Sequence, residues 1–106
     1  PALLEQLRSV TVANSREWAL KTADLLETRS PLAMAVTLEL LRRGRHLSLE
    51  DCFRMELHLD QQWFDRGDLI EGVRALLIDK DKQPRWNPAS VFELDQQRVD
   101  QFFEGL

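Results

Sequence analysis

Tyrosine is missing from this sequence, glycine occurs only four times, and no long run alternates apolar with polar residues. Strands draw on β-branched and aromatic residues in period two, bounded by turn glycines, so a sheet is excluded as the main architecture. The one β-like stretch, Ser9-Val10-Thr11-Val12, reads as a linker. Cys52 is the only cysteine, which excludes an internal disulfide and fits a reducing compartment. It stands between Asp51 and Phe53 in an apolar-periodic run with no activating partner beside it, so it reads as a structural thiol and not as a nucleophile. No apolar run approaches the roughly 20 residues needed to span a bilayer, and no stretch reads as a secretory leader.

Positive charge is also in short supply. Fourteen Lys and Arg stand against 18 Asp and Glu, a net charge of −4. That sign gives no electrostatic footprint for nucleic acid. The two histidines, His46 and His58, are far apart, and His58 does not share a helix face with Glu56, so no metal site is expected. There is no glycine-rich loop to cradle a phosphate and no serine nucleophile elbow.

What is present is helix. With 43% hydrophobic and 30% charged residues the chain has an ordinary globular balance and the length of one domain. The pattern predicts a short helix from Pro1 to about Ser9, then one capped by Asn14 or Ser15 with Glu17 completing a box-like arrangement. Trp18, Thr22 and Leu26 form its stripe beside Ala19 and Ala23, and it should end near Arg29. Ser30-Pro31 opens the next helix, because serine caps and proline at the first position needs no N–H. Its two stripes, Leu32-Val36-Leu40 and Met34-Leu38-Leu41, cover more than half the circumference and predict burial all round, with Gly44 as the stop. Ser48 with Asp51 three residues on caps a helix with stripes Leu49-Phe53-Leu57 and Cys52-Met55-Leu59-Trp63, ending at Gly67. Asp68 is expected to cap a helix carrying Leu69, Ile70, Val73, Leu76 and Leu77, in which Gly72 marks a close contact. Pro84 and Pro88 forbid helix through 79–88. A last helix from about Asp95 should turn Val99, Phe102 and Phe103 inward.

Few residues carry a case for chemistry. Glu39, Glu50, Glu56 and Asp60 fall on polar helix faces, and Glu71 reads as a partner for a Lys or Arg. Arg42, Arg43, Arg45 and His46 cluster at a helix C-terminus, where cations complement the dipole; a phosphate patch is the other reading. The loop with Lys80, Lys82, Arg85 and Trp86 is the better ligand candidate, offering three cations and a flat aromatic to phosphates and a purine. Trp86 packing that loop onto the core is an equal reading.

Two motifs resemble a known family. Ser30-Pro31-Leu32-Ala33 at the start of a helix is similar to the Ser-Pro-x-Ala helix of the crotonase (enoyl-CoA hydratase/isomerase) superfamily. Asp68-Leu69-Ile70-Glu71-Gly72-Val73-Arg74-Ala75 is similar to its acidic-x-x-Glu-Gly-x-x-Ala helix. The continuation, Leu77-Ile78-Asp79-Lys80-Asp81-Lys82-Gln83-Pro84-Arg85-Trp86-Asn87-Pro88, resembles the 3-hydroxyisobutyryl-CoA hydrolase branch, as do Met55-Glu56. In place of the lysine many members carry in the Ser-Pro helix, this chain has Thr37, Leu38 and Glu39.

The resemblance implies an all-α fold of about five helices, residues 1–106 forming the C-terminal helical domain of a crotonase-like enzyme. The chain is then expected to be a fragment, without the N-terminal ββα catalytic domain that holds the thioester oxyanion. No catalytic residue and no metal ligand carries over, and no cofactor is implied beyond the coenzyme A thioester substrate of the parent. Lys80, Lys82, Arg85 and Trp86 become candidate contacts to coenzyme A. The expected role is lid and assembly domain of a 3-hydroxyisobutyryl-CoA hydrolase of valine catabolism, or of an enoyl-CoA hydratase, in bacterial cytoplasm or mitochondrial matrix. The expected partners are the parent's own N-terminal domain, acyl-CoA and, for the isolated chain, a second copy; no nucleic acid or membrane is expected. The alternative, resting on the leucine- and phenylalanine-rich helices alone, is a stand-alone helical protein-interaction module without catalysis.

Overall fold

The structure, a computed structural model, describes residues 2–11 and 13–106, the side chains of Ala13 and Asn14 excepted. Pro1 and the expected Asn14 cap thus lie outside the described residues. Among the described residues six helices follow one another: α1 (Ala2–Arg8), α2 (Ala13–Glu27), α3 (Pro31–Gly44), α4 (Leu49–Arg66), α5 (Leu69–Val73) and α6 (Gln96–Phe102). Helix α5 widens directly into a π turn, Arg74–Ile78, and a 3-10 turn, Val91–Glu93, precedes α6. Among the described residues there is no strand, and the expectation of an all-α fold of about five helices holds, with six found.

Local chemistry sets the helix starts. Ser30 Oγ accepts the Ala33 N–H at 3.1 Å with Pro31 at the first position of α3. Ser48 Oγ accepts the Asp51 N–H at 3.2 Å, and Asp95 Oδ1 accepts the Gln97 N–H at 2.9 Å. The helix stops are less local. Helix α3 runs through Gly44, whose φ is not left-handed, so glycine there is no C-terminal cap of the usual kind. Helix α2 ends at Glu27, two residues short of Arg29.

The core lies where α3, α4 and α6 meet. Leu32, Val36, Met55, Leu59, Val99, Phe102 and Phe103 are buried there, with Ala35, Leu40, Trp63 and Leu94 packed against them. The Trp63 and Phe102 rings meet at 4.7 Å, tilted by 60°. The Arg43 guanidinium lies 4.2 Å over the Phe103 ring while bonding Glu39 at 2.9 Å, which places one member of the basic cluster in a packing role. Helices α1 and α2 pack on each other as a hairpin, tied by Arg8 to Asp24 and Glu27 at 3.1 and 2.8 Å.

Burial corrects three of the predicted stripes. In α2 the fully buried residues are Ala19 and Ala23, whereas Trp18 is 64% exposed; small side chains admit the neighbouring backbone and the large ring turns away. In α3 only the Leu32-Val36 side is buried, and Leu38 and Leu41 face outward, so the predicted all-round burial does not occur. In α4 Met55 and Leu59 enter the core, but Leu49, Phe53, Leu57 and Phe64 form a second, exposed stripe about a third of a turn away. The outer residues of α5 and its π turn, Ile70, Leu76, Leu77 and Ile78, are exposed as well. Apolar periodicity marks a face that can be buried; which element covers it is decided by the tertiary arrangement. The radius of gyration is 15.7 Å, against about 13 Å for a compact domain of this length.

Candidate functional site

The strap 79–88 leaves the π turn and runs back across α5 to reach α6. Its first half is organised by Arg74. The Nε and Nη2 groups of Arg74 donate to the two carboxylate oxygens of Glu71 at 2.7 and 2.6 Å. Its Nη1 donates to Asp79 and to Asp81, both at 2.8 Å, and Nη2 also reaches the Gln83 carbonyl at 3.4 Å. The planar fork of arginine fits this arrangement because it carries five N–H donors in fixed directions. The expectation that Glu71 partners a cation is met by Arg74. Hydrogen bonds from Arg74 and from the Arg85 N–H, the latter at 2.8 Å, hold the Glu71 carboxyl down at about 2. The Asp81 carboxyl is held low by Arg74 and by the Gln83 N–H.

The second half is pinned by neutral contacts and by a buried carboxylate. The Trp86 indole N–H donates to the Thr28 carbonyl at 2.9 Å, and the ring faces Gly72. Asp68, 8% exposed, does not cap α5 with its side chain as expected. Its Oδ2 instead accepts from Ser30 Oγ at 2.5 Å and its Oδ1 from the Asn87 N–H at 3.0 Å, joining the start of α3 to the end of the strap. Arg98 of α6 closes the strap by donating to the Asn87 carbonyl at 2.6 Å.

The four candidate residues all stand on this strap, in two different situations. Lys80 and Lys82 are exposed, have left-handed backbone (φ 56° and 55°), and make no ion pair among the described residues. Arg85 is exposed, its backbone committed to Glu71. Trp86 is half-buried and does anchor the loop, as one of its two readings expected. The other basic cluster stays apart on α3 and the turn after it. Among the described residues no group of three His, Cys, Asp or Glu could hold a metal ion, and no helix is long and apolar enough to cross a membrane.

A sequence profile of the family described as enoyl-CoA hydratase/isomerase matches residues 1–103. The chain belongs to that family. It is 39% identical over 105 residues to the mitochondrial 3-hydroxyisobutyryl-CoA hydrolase of Dictyostelium discoideum, a match covering 98% of this chain and 27% of that protein. The mitochondrial 3-hydroxyisobutyryl-CoA hydrolase of Gallus gallus is 38% identical, with 97% of this chain and 30% of that protein covered. That of Danio rerio is 39% identical over 84% of this chain and 23% of the relative. The chain therefore spans less than a third of the length of these relatives. These matches bear out the resemblance to the 3-hydroxyisobutyryl-CoA hydrolase branch of the enoyl-CoA hydratase/isomerase family.

Within this family member, the residue that sequence reasoning passed over is Arg74. Its signal was available in part: Glu71 and Arg74 have the i,i+3 spacing of a helix pair, and two more acids follow within seven residues. Nothing local showed that the chain would double back so that all three acids meet one guanidinium.

Proposed function

We propose that this chain is the C-terminal lid and assembly domain of an acyl-CoA thioester hydrolase, with 3-hydroxyisobutyryl-CoA of valine catabolism as substrate. The observation that carries this reading is the near-complete match of the chain to proteins named for that reaction, at 38–39% identity in two of them. The geometry supports it in two ways. The exposed apolar stripes of α3, α4 and α5 are surfaces fit to pack on a larger domain. The strap carries Lys80, Lys82 and Arg85, all exposed and the two lysines without an ion pair among the described residues, and three such cations suit the phosphates of coenzyme A. In the hydrolysis, water adds to the thioester carbonyl, the C–S bond breaks, and the sulfur leaves as the coenzyme A thiol with the acid as the other product. This chain's share is to bind and cover; the groups that touch the reacting carbonyl belong to the rest of the enzyme.

The hydratase reading differs in bond changes: water adds across a C=C bond and the thioester survives. The full-length protein separates the two. With 3-hydroxyisobutyryl-CoA, release of free thiol, followed with a thiol-reactive chromophore, is the expected outcome. Loss of enoyl absorbance from crotonyl-CoA without thiol release would replace hydrolase by hydratase. Neither activity, in a folded protein, would leave the helical interaction module as the better description.

A further inference from the structure

We propose that Arg74 is a positioning residue for coenzyme A, holding Asp79 and Asp81 away from Lys80 and Lys82 so that both ammonium groups stay available to phosphate. This rests on the reading above, that the strap meets the nucleotide end of an acyl-CoA.

All five N–H groups of the guanidinium are assigned: two to Glu71, one each to Asp79 and Asp81, and a long one to the Gln83 carbonyl. The strap alternates acid and base, Asp79-Lys80-Asp81-Lys82. In an unstructured segment of this sequence Lys80 would have a carboxylate on either hand and Lys82 one before it, each free to pair with the ammonium groups and compete with an anion. Here both carboxylates turn to Arg74, and Lys80 and Lys82 take left-handed backbone and make no ion pair with any acid among the described residues. The Lys82 N–H also reaches back to the Ala75 carbonyl at 2.9 Å, fixing the second lysine against the π turn. The Arg85 N–H bonds the same Glu71 carboxylate that Arg74 grips, so the fork and the strap's middle share one anchor. A residue in this place acts through the two lysines and not on the substrate directly. Lysine cannot substitute for it, because an ammonium has three donors and no planar fork.

The test uses the full-length enzyme and two thioesters of the same acyl group, one on coenzyme A and one on pantetheine, which lacks the nucleotide and its phosphates. R74M is expected to lower the ratio of kcat/KM for the coenzyme A thioester over the pantetheine thioester by about tenfold or more, the size of losing charge-assisted hydrogen bonds, with the loss falling on KM. R74K should not restore the ratio. Tryptic cleavage after Lys82 in the folded enzyme should quicken in R74M. A fall in both thioesters alike, leaving the ratio at the wild-type value, would overturn the proposal and make Arg74 a stabilising residue only. Should R74M fail to fold, D79N combined with D81N keeps the Glu71 fork and is read on KM: with no carboxylate left to mask the lysines, KM for the coenzyme A thioester is expected to stay at or fall below the wild-type value. A several-fold rise, which would mean that the carboxylates themselves place the lysines, overturns the proposal. The underlying reading has its own control. If K80A with K82A leaves the coenzyme A thioester's KM at wild type, the strap does not meet the nucleotide, and that reading fails whatever Arg74 does.

Discussion

Gly67 and Gly72 stand five residues apart and look alike in sequence, yet the space around them differs. A Cβ at Gly67 would fall 2.3 Å from Trp63 Cε3 and 3.2 Å from its backbone Cα. That ring is wedged against Phe102 and cannot move freely. Gly67→Ala is therefore expected to cost about 1–3 kcal/mol through overpacking, with an altered tryptophan signal in near-UV circular dichroism. At Gly72 the added Cβ would sit 3.4 and 3.5 Å from the Trp86 ring, ordinary contact, so the close approach read from sequence is a face for Trp86 and not a steric requirement. Gly72→Ala should be neutral or stabilising by up to about 1 kcal/mol, the helix-propensity gain. Thermal unfolding of the two variants checks the contrast; equal losses would show that contact distance is not what separates them. Ser30 carries a larger consequence. Its hydroxyl caps α3 and also donates to buried Asp68, so Ser30→Ala removes a cap and strips a buried carboxylate of one partner. A loss of about 2–4 kcal/mol is expected by denaturant titration, since caps give about 1 and bonds to buried charge about 1.5–3. The cap was legible in the sequence because it spans three residues; the bond to Asp68 crosses 38 and left no local trace.

At the scale of the element, the strap depends on ionised carboxylates, and its pH response follows from their direction of shift. The Glu71 carboxyl, ordinarily near 4.5, is held at about 2 by hydrogen bonds from Arg74 and the Arg85 N–H. A carboxyl lowered in the folded state contributes stability that is fully present above its unfolded value and is lost as pH falls toward its folded one. The contribution of Glu71 is thus complete above pH 4.5 and disappears between there and about 2. Asp81 acts in the same sense, lowered first by Arg74 and then by the Gln83 N–H. Glu71→Gln keeps the shape and removes the charge. Its Tm should lie below wild type at neutral pH, and the gap should close as both are measured at progressively lower pH below 4.5. A gap of constant size would locate the loss in shape instead of charge. Helix order and the Ser30 and Ser48 caps were readable because each is decided within a turn or two of chain, whereas Asp68, expected to cap α5, is drawn instead to Ser30 and Asn87 far along the chain. The strap was readable only as a break in helix: its prolines were visible, but the path that joins Trp86 to Thr28, 58 residues back, depends on left-handed lysines that carry no sequence mark.

The whole molecule exposes more surface than its mass requires. A folded monomer of 12.4 kDa is expected to expose about 6,100 Å², and this chain exposes 7804 Å². The excess, about 1,700 Å², is roughly twice the share of one partner in a standard protein interface. Its chemistry is not that of ordinary surface: Leu38 and Leu41 of α3, Phe53, Leu57 and Phe64 of α4, and Ile70, Leu77 and Ile78 around α5 are each about half exposed or more. All of these but Phe64 and Ile78 belong to the apolar stripes that sequence periodicity marked, and the residues are those an interior would use; what they lack is a covering element among the six helices. The chain on its own should therefore self-associate. Sedimentation velocity across a concentration series is expected to show the weight-average sedimentation coefficient rising with concentration. Phe53→Glu combined with Leu57→Glu should return the chain toward monomer without loss of helix, because both side chains already stand outside the core. A wild-type chain that sediments as a monomer at the highest concentration would mean that these stripes tolerate water, and the packing surface inferred for the rest of the enzyme would lose its main physical support. Association that survives the double substitution would instead move the sticky surface off α4, to the outer residues of α5 and its π turn.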